Sequence, residues 1–131
     1  MSAYSAMQSG YLGVTRSTGT PREIEYQLFS QITGRLHRAS EADAPFSDLV
    51  QAVTDNLTLW RTIALDVADQ DNDLPQMLRA QLFYLYEFTS AHTRKVLQRE
   101  ADATALIDVN TTIMRGLKPK QPGKGPDQCL A

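Results

Sequence analysis

Only one cysteine, Cys129, occurs in the chain, so no internal disulfide can form and no cysteine pair is available for a zinc site. It stands third from the end, which does not fit the prenylation pattern, where the cysteine is fourth. Long apolar runs are missing too, and without them no helix is expected to cross a bilayer. The leading residues MSAYSAMQSGYLG have neither the basic start nor the apolar stretch of a secretory signal. Cytoplasm is therefore the expected compartment. Nor is there an excess of basic charge: thirteen Lys and Arg stand against fifteen Asp and Glu, for a net charge of −2. A nucleic-acid binder normally carries a basic surplus that displaces counterions from phosphates, so direct nucleic-acid binding is disfavoured. The one basic cluster, Lys118, Lys120 and Lys124, lies in a segment rich in proline and glycine and reads as a solubilising tail.

Catalytic signatures are equally scarce. The chain has no glycine-rich phosphate loop, no His-x-x-x-His zinc pattern and no Gly-x-Ser-x-Gly elbow. His37 and His92 are the only histidines. His92 falls on an apolar stripe, where a side chain bonded to a neighbour is expected, and His37 complements the end of a helix dipole. Counted as a calcium loop from Asp69, the acidic run places Leu74 where glycine is required and Ala80 where glutamate is required. A solvated, helix-capping loop is expected there instead. No enzyme activity, metal or cofactor is expected.

What the sequence does contain is helical periodicity. Thr20-Pro21-Arg22-Glu23 reads as a helix start: a Thr20 cap, proline in the first turn, and Glu23 completing a capping box. Ile24, Leu28, Ile32 and Leu36 follow one residue in four, with Phe29 beside them, and the helix should fade near Ala39. A second helix should start about Ser47, capped by Ser47 and Asp48, and carry Leu49, Val50, Val53, Leu57, Trp60, Ala64 and Val67. It should stop at the run Asp69–Asp73. Pro75 opens a third, striped by Leu78, Leu82, Leu85, His92 and Val96 with Phe88 and Thr89 alongside, and predicted to reach about Glu100. Leu106, Val109, Ile113 and Leu117 mark a short fourth, with Gly116 within or ending it. The fold class is all-α, an antiparallel bundle of about four helices in one domain over residues 20–117. Residues 1–19 read as a flexible arm with scattered Tyr4, Met7, Tyr11, Leu12 and Val14, and 118–131 as a disordered tail.

The densest signal is Leu82-Phe83-Tyr84-Leu85-Tyr86-Glu87-Phe88, where only Glu87 is not a large apolar or aromatic residue. A helix apolar nearly all round is either the buried centre of a bundle or touches something on more than one face. One stripe through Leu78, Leu82 and Leu85 suffices for a core, which leaves Phe83, Tyr84 and Tyr86 in need of other neighbours. Tyr26 likewise sits off the stripe of the first helix. The alternative to a buried central helix is a groove that accepts an amphipathic helix of another protein. Its candidate lining is Tyr26, Phe29, Phe83, Tyr84 and Tyr86, with Arg22 and Glu25 at a polar rim.

Several segments also resemble one family. Tyr11 through Glu25, with Thr15-Arg16 and then Pro21-Arg22-Glu23-Ile24-Glu25, is similar to the N-terminal signature of FlaF, a flagellar biosynthesis regulator of alphaproteobacteria. His92-Thr93-Arg94-Lys95-Val96-Leu97, then Leu106-Ile107-Asp108-Val109-Asn110 and Ile113-Met114-Arg115-Gly116-Leu117, resembles the same family. The likeness runs over residues 11–118, and the segment KPKQPGKGPDQCLA stands outside it. The resemblance implies a cytoplasmic protein needed for flagellin production and filament assembly, one that binds flagellin before export; the groove reading makes flagellin's terminal helical segments the part bound. It also implies pairing with FlbT, which acts oppositely on flagellin synthesis. The alternative it leaves open is a regulator of flagellin translation acting through FlbT or the flagellin messenger RNA. The family brings no catalytic residues.

Overall fold

Four helices form where the periodicity placed them: α1 (Pro21–Ala39), α2 (Phe46–Ala68), α3 (Gln76–Leu97) and α4 (Thr104–Leu117). The computed structural model describes the backbone of residues 21–117 and the side chains of 26–116. The expected arm and tail, the Thr20 cap and the side chains of Ile24 and Leu117 lie outside the described residues. Connections of six or seven residues leave each helix no route except back along its predecessor, so the bundle runs up, down, up, down. α2 packs on α1 and on α3. α4 returns to α1, and its contact with α3 is the least extensive of the four.

Two apolar clusters fill the interior. One joins Leu28, Phe29, Ile32, Leu59 and Trp60, flanked by Ile63, Leu82, Leu85, Tyr86, Val109, Ile113 and Met114. The other joins Leu36, Ala52, Val53, Val96, Ala103 and Leu106. Phe29 meets Trp60 edge to face at 5.8 Å between ring centres, the arrangement that ring quadrupoles favour. Between the clusters lies a polar layer that the sequence reading did not foresee. Trp60 Nε1 donates to Asn110 Oδ1 at 2.9 Å. Asn110 Nδ2 donates in turn to Asn56 Oδ1 at 2.7 Å and to Thr33 Oγ1 at 3.1 Å. One amide thereby ties α4 to α1 and α2.

The helix ends differ from expectation in three places. Ser47 does not cap α2; it lies in the first turn, and Pro45 flanks the helix in an extended conformation with no side-chain bond to the amides. α3 begins one residue after Pro75, and it ends at Leu97 instead of near Glu100. There Arg99 takes φ 62°, its N–H reaching Val96 O at 2.9 Å and that of Glu100 reaching Lys95 O at 2.8 Å. This is the left-handed closure usually made by glycine. The Arg99 guanidinium lies 4.0 Å from the centre of the Phe46 ring, a cation–π contact that favours arginine at the strained position.

In the α2–α3 connection the polar run behaves as expected. Asp69 Oδ1 accepts from the Asp71 amide, and Asn72 Oδ1 from the Leu74 amide, both at 2.9 Å. Arg79 then reaches back to the carbonyls of Val67 at 2.8 Å and Asp69 at 2.9 Å, satisfying the exposed end of α2.

Candidate functional site

α3 is not the buried centre of the bundle. Its fully buried residues are Thr89, Thr93 and Val96, all in the C-terminal half. In the N-terminal half Leu82, Leu85 and Tyr86 turn toward the core and are half-buried, and at 100° per residue the neighbouring side chains must point away. Leu78 shares the core-facing register but is exposed. Tyr84 is 66% exposed and Met77 is 75% exposed, with Phe88 exposed as well. Met77, Tyr84 and Phe88 are spaced by seven and four residues, so they share one flank of α3. His92 extends that line, its ring stacked on Phe88 at 5.6 Å. Between Gln76 and Phe88 the only charges are Arg79 and Glu87, and Arg79 is engaged with the α2 carbonyls. Leu74, just ahead of the helix, and Leu65, on the C-terminal half of α2, are exposed at the same end of the bundle.

The candidate lining residues are therefore not gathered in a single groove. Tyr84 is on the exposed flank with Met77 and Phe88. Phe83 lies on the opposite flank, in edge contact with Tyr86 at 5.7 Å. Tyr86 is half-buried and packs on the core, and Tyr26 is half-buried on α1. Phe29 is buried beneath Trp60 and presents no surface to a partner while the bundle is closed. Arg22 and Glu25 are in the first turns of α1, and their side chains lie outside the described residues. Met77, Phe88, Leu74 and Leu65 were not among the candidates. The first two carried a legible signal, since the spacing Met77–Tyr84–Phe88 follows one helix flank.

His92 is half-buried and its Nε2 lies 2.9 Å from the Asp102 carbonyl oxygen, which joins α3 to the start of α4. The Asp102 carboxyl is held below its ordinary range, mainly by the Thr104 backbone amide, then by the Thr104 hydroxyl, with a smaller contribution from His92. His37 lies elsewhere, at the rim of a shallow cavity of about 460 Å³ lined also by Ser40, Glu41, Thr104, Ile107, Asp108 and Thr111. Among the described residues no three His, Cys, Asp or Glu side chains are grouped as a metal site would require. Among those residues, too, no helix is long and apolar enough to cross a membrane.

Fold and surface define an all-α four-helix bundle with an apolar flank open to solvent on its third helix. Residues 7–117 match the family model described as Flagellar protein FlaF, and the chain belongs to that family. It is accordingly a flagellar protein. The match takes in all four helices and starts ahead of α1. No curated protein and no solved structure matches the chain.

Proposed function

We propose that this protein works by binding, not by catalysis, as a cytoplasmic export chaperone for flagellin that thereby promotes flagellin synthesis and secretion. The observation that carries the reading is the exposure of Tyr84 and Met77 beside Phe88 on a flank almost without charge. Flagellin's terminal segments become helical in the filament, and before assembly their apolar faces would aggregate. A helix laid along the Met77–Tyr84–Phe88 flank would cover such a face, with the aromatic rings as anchors. Membership of a flagellar family supports flagellin as the occupant.

Calorimetric titration of the purified protein with flagellin tests the proposal, using flagellin with and without its terminal helical segments. Saturable binding that disappears with those segments, and that weakens only modestly as salt is raised, supports the chaperone reading. No binding to any flagellin form overturns it. Steeply salt-dependent binding to the flagellin message, alone or with FlbT, would instead mark a translational regulator.

A further inference from the structure

Two features of the molecule meet at one end of the bundle. The antiparallel order sets the start of α1 beside the end of α2 and the start of α3. Leu28, Phe29 and Ile32 of α1 share a cluster with Leu59 and Trp60, and Leu82, Leu85 and Tyr86 of α3 pack against it. The exposed flank of α3 therefore stands at the end where residues 1–20 join the bundle. We propose that residues 1–20 of this chain lie across the Met77–Tyr84–Phe88 flank when no other protein occupies it, with Tyr11, Leu12 and Val14 making the contact.

Reach, composition and family pattern all favour this occupant. Val14 is six residues from Thr20, a span of about 20 Å when extended. The diagonal of a four-helix bundle with neighbours about 9 Å apart is only about 13 Å. The flank from Met77 to Phe88 is about 16 Å long, so the remaining residues can follow it. Residues 1–20 contain Tyr4, Met7, Tyr11, Leu12 and Val14 and a single charge, Arg16. A nearly uncharged segment thus faces a nearly uncharged flank. Residues 118–131 leave from the same end but carry Lys118, Lys120 and Lys124 and only Leu130 as a large aliphatic residue. The family match points the same way, since it includes residues 7–20 and stops at 117.

A short tether holds the segment at an effective concentration of about a millimolar, so even a weak contact is substantially populated. An incoming helix must then compete, and its apparent affinity falls by the fraction of molecules left open. If half to nine-tenths are covered, removing the segment tightens that affinity by about two- to tenfold.

The inference rests on the α3 flank being a docking surface, as the flagellin proposal does, but its test contains no flagellin. Met77 supplies the probe. With methionine methyls labelled for NMR, a soluble paramagnetic agent reports how open each methyl is in the dilute full-length protein. Removing residues 1–18, or making Leu12→Ser in the intact chain, is expected to raise the Met77 response about two- to tenfold and leave the half-buried Met114 unchanged. Equal Met77 responses in all three proteins overturn the proposal. So does protection that survives the deletion and grows with concentration, which assigns the flank to a second copy. Either failure leaves the flagellin reading standing, and a failure to bind flagellin leaves the Met77 result standing.

Discussion

Asn110 is a small side chain with an outsized structural role, because its one amide accepts from Trp60 and donates to Thr33 and Asn56. All four residues are buried, so none can turn to water if the amide is removed. Asn110→Ala is expected to lower stability by about 2–4 kcal/mol, read by urea denaturation, since it leaves the Trp60 N–H and its partners unsatisfied in the interior. The aromatic residues make the opposite contrast. Tyr84→Ala removes a ring that already faces solvent. It should leave the melting temperature and helicity near wild type while weakening flagellin binding about tenfold or more in calorimetry. Phe29→Ala empties core space beneath Trp60 and should cost about 3–5 kcal/mol of stability. A Tyr84 variant that unfolds, or that binds normally, would remove Tyr84 from the docking surface.

α3 is divided along its length, with a C-terminal half that carries its buried residues and an N-terminal half that shows Met77, Tyr84 and Phe88 on one flank and Phe83 on the other. The C-terminal half carries an imperfection: Thr89 Oγ1 and Thr93 Oγ1, together with Asn56 Nδ2 across the α2 contact, are buried without a hydrogen-bond partner. Thr89→Val and Thr93→Val keep the shape and delete the unpaired hydroxyl. Each should raise stability by about 1 kcal/mol in chemical denaturation. The junction from α3 to α4 has a pH signature. Asp102 is charged in the folded state at lower pH than in the unfolded chain. Its bond to Thr104 therefore favours folding above the ordinary aspartate range and is lost as pH falls through and below it. Asp102→Ala should lower the melting temperature at neutral pH, with the difference closing by about pH 2. How legible these elements were follows from their chemistry. Leu28, Ile32 and Leu36 announced α1 because their spacing matches the helical turn. The end of α3 was hidden because Arg99 stands where glycine would have marked it. Asn56 and Asn110 gave no sign of burial, since mid-helix asparagines usually face water. The density of aromatics from Leu82 to Phe88 did reveal a helix with more than one face to satisfy. Which side stays open depends on how far the neighbours extend, and no local pattern records that.

Taken whole, the bundle keeps its buried contacts apart from its exposed apolar flank. The two clusters hold all four helices together and the polar layer ties α4 to α1 and α2, while the apolar flank of α3 lies at the end where residues 1–20 join. In the proposed docking, a helix laid on that flank leaves the interior packed as it is. Trp60 is the only tryptophan in the chain, fully buried, bonded to Asn110 and set against Phe29. The molecule thus carries its own optical gauge. Its emission should be blue-shifted in the native state and should stay unchanged when flagellin docks on the outside of α3. A shift toward longer wavelength on docking would mean that the partner pries the helices apart, and intrinsic fluorescence alone would tell a surface clasp from an opened bundle.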